Sequence, residues 1–462
     1  MSASRISLCL IARDESAVID ACLRSVADAV DEVVLVDTGS VDDTELRAAA
    51  LGARVFRFPW VDDFAAARNE TLRHATGDYV LWLDADERLA PGGGAALRAA
   101  AAAGVDCGML PLHAVREAGA SAEAVLDGRA RVGTPVLVAR LARRTADLRW
   151  QGRVHESWRD WLRVPGRRVA RVEAHILHDG AAATVRDPGA RRARNVALLR
   201  LRAAEQPDDV LSRAYLTVDL SNSGRRAEAR RYAEEAMAIL RRQAAGGGIE
   251  QPGAAVHAVT GFGWGAIFDG RFDDARSAAE LLLERGSRHP NLHWLLGTAT
   301  ENLALRAPLT ARPPLWSTAR RAYEAALAVE GEIFTQMVSD AARGAPLRVR
   351  LGTVRLLQGA PGSALELAAE ALGQEPGFVE ARLLRAEALL DLSRHAEALA
   401  ELEPLLGPTA ADAWLLAAAA ALPSDASTGR ALLVRARTLA RQHLRGLHRL
   451  ARLNALSIAH LR

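Results

Sequence analysis

The chain has 462 residues, 50 % hydrophobic and 25 % charged, a length and balance that suit two or three globular domains rather than a single core. It contains no Lys, so its 59 basic residues are all Arg; 56 acidic residues are interspersed, and the net charge of +3 gives no clustered basic face of the kind nucleic acid needs. The densest basic run, Arg191-Arg192-Ala193-Arg194, reads as a solvated helix face. Cys9, Cys22 and Cys107 are odd in number and widely spaced, which argues against a disulfide framework or a zinc site. No apolar run reaches the roughly 18 residues of a transmembrane segment, and the opening run at 6–11 is too short for a secretion signal, so a cytoplasmic location is expected.

Over residues 5–90 strand-like and helix-like segments alternate, which predicts a parallel α/β sheet. Strands are expected at 6–11, 33–36, 54–58 and 80–83. An amphipathic helix is expected at 17–29, and further helices from about 43 onward with Ser40 or Asp42 as cap and at 63–75, where Gly77 follows as a breaker. Residues 91–190 are less regular, with strand-like pieces at 107–112 and 135–141. Two polar-aromatic segments follow, Arg149 to Glu156 and His175 to Gly180.

From about residue 191 the chain reads as helical with a repeat. Gly263 and Gly297 stand 34 apart, as do Ala364 and Ala398. The pairs Gly224–Ala229, Gly270–Ala275 and Gly359–Ala364 share one spacing of five. Gly352, Ala364 and Pro376 fall where a 34-residue helix–turn–helix unit places its small residues and its terminal proline. These units resemble tetratricopeptide repeats, four or five in number, one of them stretched around Pro308 and Pro313-Pro314. Trp264, Trp294 and Trp316 read as core residues of that region rather than sugar platforms. The resulting division is an α/β domain over 1–190 and a helical repeat domain over 191–462.

The chemistry concentrates at Val80-Leu81-Trp82-Leu83-Asp84-Ala85-Asp86-Glu87, where an apolar strand stops at three carboxylates. The carboxyl end of a strand in an open α/β sheet is where ligands bind, and uncompensated negative charge there is costly. A hard divalent cation would offset it, and such a cation commonly holds a phosphate. The other strands of a parallel sheet deliver Ala12-Arg13-Asp14-Glu15 and the run Asp37 to Thr44 to the same edge, and Arg68-Asn69 lies on the preceding helix. Asp37 is suited to accept from a nucleobase N–H, Gly39 and Ser40 to form a tight turn, and Arg68 to pair with a diphosphate or a base.

These motifs resemble family 2 glycosyltransferases of the GT-A fold. The resemblance rests on Ile11-Ala12-Arg13-Asp14-Glu15, Val36 to Thr44, Ala67-Arg68-Asn69 and Leu83 to Glu87. The segment Phe58 to Asn69, with Gly152-Arg153-Val154-His155-Glu156 and His178-Asp179-Gly180, is similar to the SunS-like group, bacterial enzymes often fused to tetratricopeptide repeats. The resemblance implies a nucleotide-sugar donor, a UDP-sugar in the first instance, and roles by position. Asp37 contacts the base. Ile11, Arg13 and Glu15 line the base and ribose pocket, with Gly39 in the adjoining turn. Arg68 lies near the nucleotide. Asp84 touches ribose or metal, and Asp86 ligates Mn²⁺ or Mg²⁺. His178 is a candidate third metal ligand. Asp14 departs from the Asn usual at its position, which leaves any contact of that amide open.

Members of this family generally invert the anomeric centre, so a general base is expected on the acceptor side. Glu156 is the first candidate, with His155 and Asp179 as alternatives. The repeats imply a peptide or protein acceptor or partner, since stacked helical units present concave surfaces, and edge repeats are also a means of pairing into a homo-oligomer. Two other readings stand beside this one. In the first the repeats carry the function and the sheet domain is a degenerate nucleotide fold. In the second the enzyme acts on a cell-surface polysaccharide.

Overall fold

The computed structural model describes residues 4–117, 119–181, 188–407 and 410–443. By their contacts these residues form two compact units, one of the described residues up to 258 with 333–337 and one of those in 259–332 with 338–443.

The first unit opens with β1 (Ile6–Ala12), α1 (Ile19–Ser25), β2 (Glu32–Asp37), α2 (Thr44–Ala50), β3 (Arg54–Arg57), α3 (Phe64–His74) and β4 (Tyr79–Trp82). The chain continues through β5 (Glu87–Leu89), α4 (Gly93–Ala102), β6 (Cys107–Val115), α5 (Ala122–Leu126), β7 (Arg131–Arg143), α6 (Arg159–Leu162), β8 (Val169–Arg171) and β9 (Ile176–His178). One sheet runs in the order β3-β2-β1-β4-β7-β6-β9-β5, with β8 beside β6. Strands β1 to β4 are mutually parallel, and β7 joins β4 antiparallel. The expected mostly parallel α/β sheet is therefore present, and antiparallel pairings of β7 with β4 and β6 and of β5 with β9 make it mixed.

Both faces of β1 are covered, which is why its sequence is apolar almost throughout. Ile6, Leu8 and Leu10 enter one buried cluster with Leu81 and Leu83, while Cys9 enters another on the opposite face with Val80, Trp150 and Trp158. Register places Ala12 beside Asp37 and Cys9 beside Trp82. The segments that follow β1, β2 and β4 therefore emerge on one edge.

Local chemistry explains where the elements stop. The Asp63 side chain accepts from Ala66 N at 3.0 Å and opens α3 as a capping residue. α1 is shorter than its amphipathic pattern, ending at Ser25 rather than near 29. The Ser25 hydroxyl donates to Cys22 O at 2.6 Å and accepts from Leu89 N at 3.0 Å, competing with continuation of the helix. Helix α2 starts at Thr44; Asp42 accepts from Thr44 N at 3.0 Å, while Ser40 serves the preceding turn instead.

Helices follow: α7 (Pro188–Glu205), α8 (Val210–Asn222), α9 (Arg226–Ala245) and α10 (Pro252–Phe268). Residues up to 258 pack within the first unit. The second unit continues with α11 (Phe272–Leu283), α12 (Pro290–Arg306), α13 (Arg312–Ala328), α14 (Gly344–Leu357), α15 (Pro361–Gln374), α16 (Val379–Asp391), α17 (His395–Leu402), α18 (Ala411–Ala421) and α19 (Ala426–His443). This region is tetratricopeptide-like. The small residues that recur at the repeat spacing are the points where helices meet. A Cβ on Gly263 would lie 2.7 Å from Leu295, one on Gly352 would lie 2.5 Å from Leu384, and one on Gly297 would collide with the Tyr323 ring. Ala229, Ala275, Ala364 and Ala398 are all buried. Gly359 turns the chain between α14 and α15 with φ 78°, a conformation that suits residues lacking a Cβ. Trp294 and Trp316 are core residues, whereas Trp264 is 41 % exposed with its ring stacked 4.3 Å from Trp294.

Candidate active site

Asp84, Ala85 and Asp86 form a turn between β4 and β5, and Glu87 shapes it. Its carboxylate accepts from Asp84 N at 2.9 Å through one oxygen and from Arg140 Nη2 at 2.5 Å through the other. Arg140 sits on β7, buried, with its guanidinium 3.5 Å from the centroid of the Trp82 ring. Burial pushes the Glu87 carboxyl up, and the Asp84 charge adds to that push against the pull of Arg140.

Arg68, on α3, reaches the same turn. It is 4 % exposed and lies 4.0 Å from the Trp82 ring centroid. Nη2 donates to Asp84 Oδ1 at 2.6 Å and Nε to Glu156 Oε1 at 2.5 Å. Burial raises the Asp84 carboxyl, but Arg68 and Arg140 outweigh it and hold the group down at about 2. A buried guanidinium between two carboxylates is the arrangement in which neither partner can be removed cheaply. Glu156 Oε2 makes no hydrogen bond among the described residues.

The β5–β9 pairing sets Glu87 opposite His178, and Asp179 N donates to Asp86 O at 2.9 Å. His178 Nε2 then lies 3.5 Å from Asp86 Oδ2. Burial alone would lower this imidazole; Asp86, Glu87 and Asp84 around it outweigh burial and raise it. Gly180 leaves the space these two need, since a Cβ there would lie 2.5 Å from His178 Nε2 and 2.6 Å from Asp86 Oδ2. Asp84 hydrogen-bonds Arg68 instead of joining this pair. Among the described residues no three of His, Cys, Asp and Glu are gathered in a metal-holding group. The pair Asp86 and His178 offers one carboxylate and one imidazole, a donor set that suits Mn²⁺ better than Mg²⁺.

The first two strand ends form the other side of the edge. Asp37 is buried; one oxygen accepts from Gly39 N and Ser40 N, each at 2.8 Å, and the other from the Ser40 hydroxyl. Its carboxylate thus ties the turn that follows β2. Asp14 has φ 55°, a left-handed conformation that Asp and Asn tolerate better than most residues. Its Oδ1 accepts from Val41 N at 2.8 Å, and its own N–H donates to Ser40 Oγ at 2.9 Å. An Asn carbonyl would do the same acceptor work, so the departure at this position costs no structural bond. Ile11 is half-buried at the end of β1, Arg13 is exposed, and Glu15 is held by its N–H donating to Thr44 Oγ1 at 2.7 Å.

Of the expected site residues, the structure brings together Arg68, Asp84 and Glu156 in one group and Asp86 and His178 in the next. His155 goes elsewhere: its ring stacks 3.5 Å from the Tyr215 ring of α8, and burial pushes the imidazole down to about 3. Asp179 is engaged by Arg88 in a two-point ion pair at 2.5 and 3.0 Å. Arg140 and Trp82 were not expected in the site. The signal for Arg140 was a lone charge inside the apolar run Val136 to Leu141, which in a buried strand calls for a partner.

Residues 7–107 match the model of Glycosyl transferase family 2. A TPR repeat-containing protein of Synechococcus elongatus is 50 % identical over 86 residues, which cover 19 % of this chain and 21 % of that protein. The SPbeta prophage-derived glycosyltransferase SunS of Bacillus subtilis is 33 % identical over 79 residues, 17 % of this chain and 19 % of that one. Among solved structures, glucosyl-3-phosphoglycerate synthase of Mycobacterium tuberculosis, in complex with Mn²⁺, UDP-glucose and phosphoglyceric acid, matches at 30 % identity. That match covers 25 % of this chain and 45 % of the other, with a TM-score of 0.21. The chain spans about a fifth of the length of the first two relatives. No helix among the described residues is long and apolar enough to cross a membrane. The chain carries a domain that matches glycosyl transferase family 2 over residues 7–107, followed in sequence by helices whose recurring small residues are tetratricopeptide-like.

Proposed function

We propose that this chain is a glycosyltransferase that moves a sugar from a nucleotide-sugar donor, a UDP-sugar in the first instance, to a peptide or protein acceptor with inversion at the anomeric carbon. The observation that carries this reading is the Asp84–Arg68–Glu156 group at the carboxyl edge of the parallel strands, in which Arg68 and Asp84 belong to the matched family domain and Glu156 reaches them from beyond it.

Asp37 and the turn it ties would receive the base, with Ile11, Arg13 and Glu15 along the base and ribose. Asp84, fixed by Arg68, would face the ribose side of the donor. Asp86 and His178 would hold a divalent cation, Mn²⁺ or Mg²⁺. Bound there, the ion would act as a Lewis acid toward the departing diphosphate. Arg68 is a fixed cation next to the same group and keeps its charge at every working pH; its two carboxylate partners prevent it from moving when charge develops on the leaving group.

Glu156 is the general base in this reading. One oxygen rests on Arg68, and the other is available to accept the proton of an acceptor hydroxyl as it attacks the anomeric carbon. His155, clamped on Tyr215, supports the loop and does not serve as the base, and Asp179 serves Arg88.

The test is turnover of UDP-sugars with Mn²⁺ by the intact chain and by Asp86→Ala and Glu156→Gln. Release of UDP by the wild type, lost with Asp86→Ala, supports the donor and metal assignments. Unchanged turnover in Asp86→Ala would remove the metal from the reading, and unchanged transfer in Glu156→Gln would remove the base.

A further inference from the structure

The loop that presents Glu156 is held from behind by helices α7 and α8, which lie beyond the matched family domain. Arg202 of α7 is 3 % exposed. Its Nη1 donates to Val154 O at 2.8 Å and to His155 O at 3.2 Å. Its Nε and Nη2 donate to the two oxygens of Asp209 at 2.8 and 3.3 Å. Asp209 is itself fixed: it caps α8 through Ser212 N at 3.1 Å and accepts from Gln251 Nε2 at 3.0 Å.

Three further contacts close on the same loop. Arg153 pairs with Glu205 through Nε at 2.9 Å and Nη2 at 2.6 Å. Val154 is buried with Val196, Leu199, Leu216 and Leu220 of α7 and α8. His155, held in a left-handed conformation with φ 51°, lays its ring on Tyr215. Gly152 has φ 95°, and a Cβ there would collide with the Arg202 guanidinium. That glycine is therefore required both by its backbone and by the arginine behind it.

The other end of the Arg68–Glu156 pair refers to this loop as well. Phe64 N, at the start of α3, donates to Arg153 O at 2.9 Å, and Arg68 lies one turn further along that helix. Both members of the ion pair are thus referenced to the backbone that Arg202 grips.

We infer that Arg202 is a positioning residue for transfer: by binding the Val154 and His155 carbonyls and Asp209 at once, it fixes the loop that aims Glu156 at the acceptor. Helices α7 and α8 are then part of the catalytic apparatus. This inference rests on the reading of Glu156 as the base for its catalytic half; the structural half stands without it.

The experiment uses the full chain with Arg202→Met, which keeps an unbranched apolar stem and removes the donors, and Arg202→Lys, which keeps the charge facing Asp209 but not the fork that reaches both carbonyls. Amide hydrogen exchange and steady-state kinetics are read together. In both variants exchange at Gln151 and Ser157, which pair with each other across the loop, should rise by about 10-fold or more, with Leu8 and Leu10 of β1 unchanged. The kcat for transfer should fall by about 100-fold in Arg202→Met, the scale of a misplaced reacting group, and less in Arg202→Lys, while KM for the donor stays within about twofold. Should Arg202→Met fail to fold, Arg202→Lys alone decides. Unchanged exchange at Gln151 and Ser157 overturns the grip on the loop. Faster exchange with unchanged kcat overturns the positioning role. A wild type that turns over no nucleotide-sugar leaves the exchange result standing and overturns the proposed function and, with it, the catalytic half.

Discussion

At the carboxyl edge of the sheet, Arg68 and Arg140 are buried against Asp84, Glu87 and Glu156 with Trp82 packed against both. In the second unit, helices meet over Gly263, Gly297 and Gly352, and the ion pair of half-buried Arg350 with buried Glu301 at 3.0 Å is closed by Tyr323 OH donating to the same carboxylate at 2.9 Å. The first arrangement gathers ionised groups beside a family-matched edge, where Glu156 retains an oxygen for something further. The second closes the Glu301 carboxylate with a cation and a hydroxyl and otherwise packs small residues under large ones. Concentrated charge of the first kind is costly to bury and is kept where chemistry uses it; close packing of the second kind builds a surface.

The comparison is broken most strongly at Arg68. Arg68→Met leaves two carboxylates facing a buried site without their cation, and should cost about 3–5 kcal/mol in a urea unfolding titration, along with transfer activity. A loss below about 1 kcal/mol would mean that water screens the group and that Arg68 and Glu156 do not form a buried ionic site. Asp86→Ala should next reduce metal-dependent turnover by at least about 100-fold, with the melting temperature nearly unchanged, since removing a metal donor acts on the site and not on the fold. Gly180→Ala tests the same pair from behind: a Cβ pressed against His178 and Asp86 should weaken Mn²⁺ binding about 10-fold in a calorimetric titration. On the other side, Gly297→Ala should destabilise the chain by about 1–3 kcal/mol through overpacking against Tyr323, and leave UDP binding where it was.

The smallest effect is a pH dependence. His155 is pushed down to about 3, by burial first and Arg202 second, and burial holds His257 at about 4. In the unfolded chain a histidine titrates near 6.5. Below that value the unfolded state takes up protons that the folded state refuses, so folding stability is full above pH 6.5 and declines as pH falls toward 4 and then 3. Urea midpoints measured between pH 7.5 and 5 should fall, and the decline should be shallower in His155→Phe, which keeps an aromatic ring against Tyr215.

Much of the edge was readable before folding was considered. Asp84 and Asp86 declare themselves because an apolar strand ends at them. The repeat glycines and alanines are legible for the same reason: their spacing is local and periodic. Arg140 was not, because its partner Glu87 lies 53 residues away across the sheet. The adjacent His155 and Glu156 look equivalent as letters, yet they part company in the fold: the left-handed backbone at His155 sends one ring to Tyr215, while the other side chain meets Arg68. Asp84 and Asp86, two residues apart, likewise face different partners.

By itself, the order of residues determined the strand–helix alternation, the acid cluster at a strand end, the family resemblance and the recurrence of small residues, because each is a pattern within one turn, one strand or one repeat. Only the tertiary structure decided which carboxylate faces Arg68, which faces His178, and that Arg202 of α7 grips the loop carrying Glu156. Those outcomes depend on groups far apart in the chain competing for the same buried donors, and that competition is resolved only when sheet register and helix packing bring them within hydrogen-bonding distance.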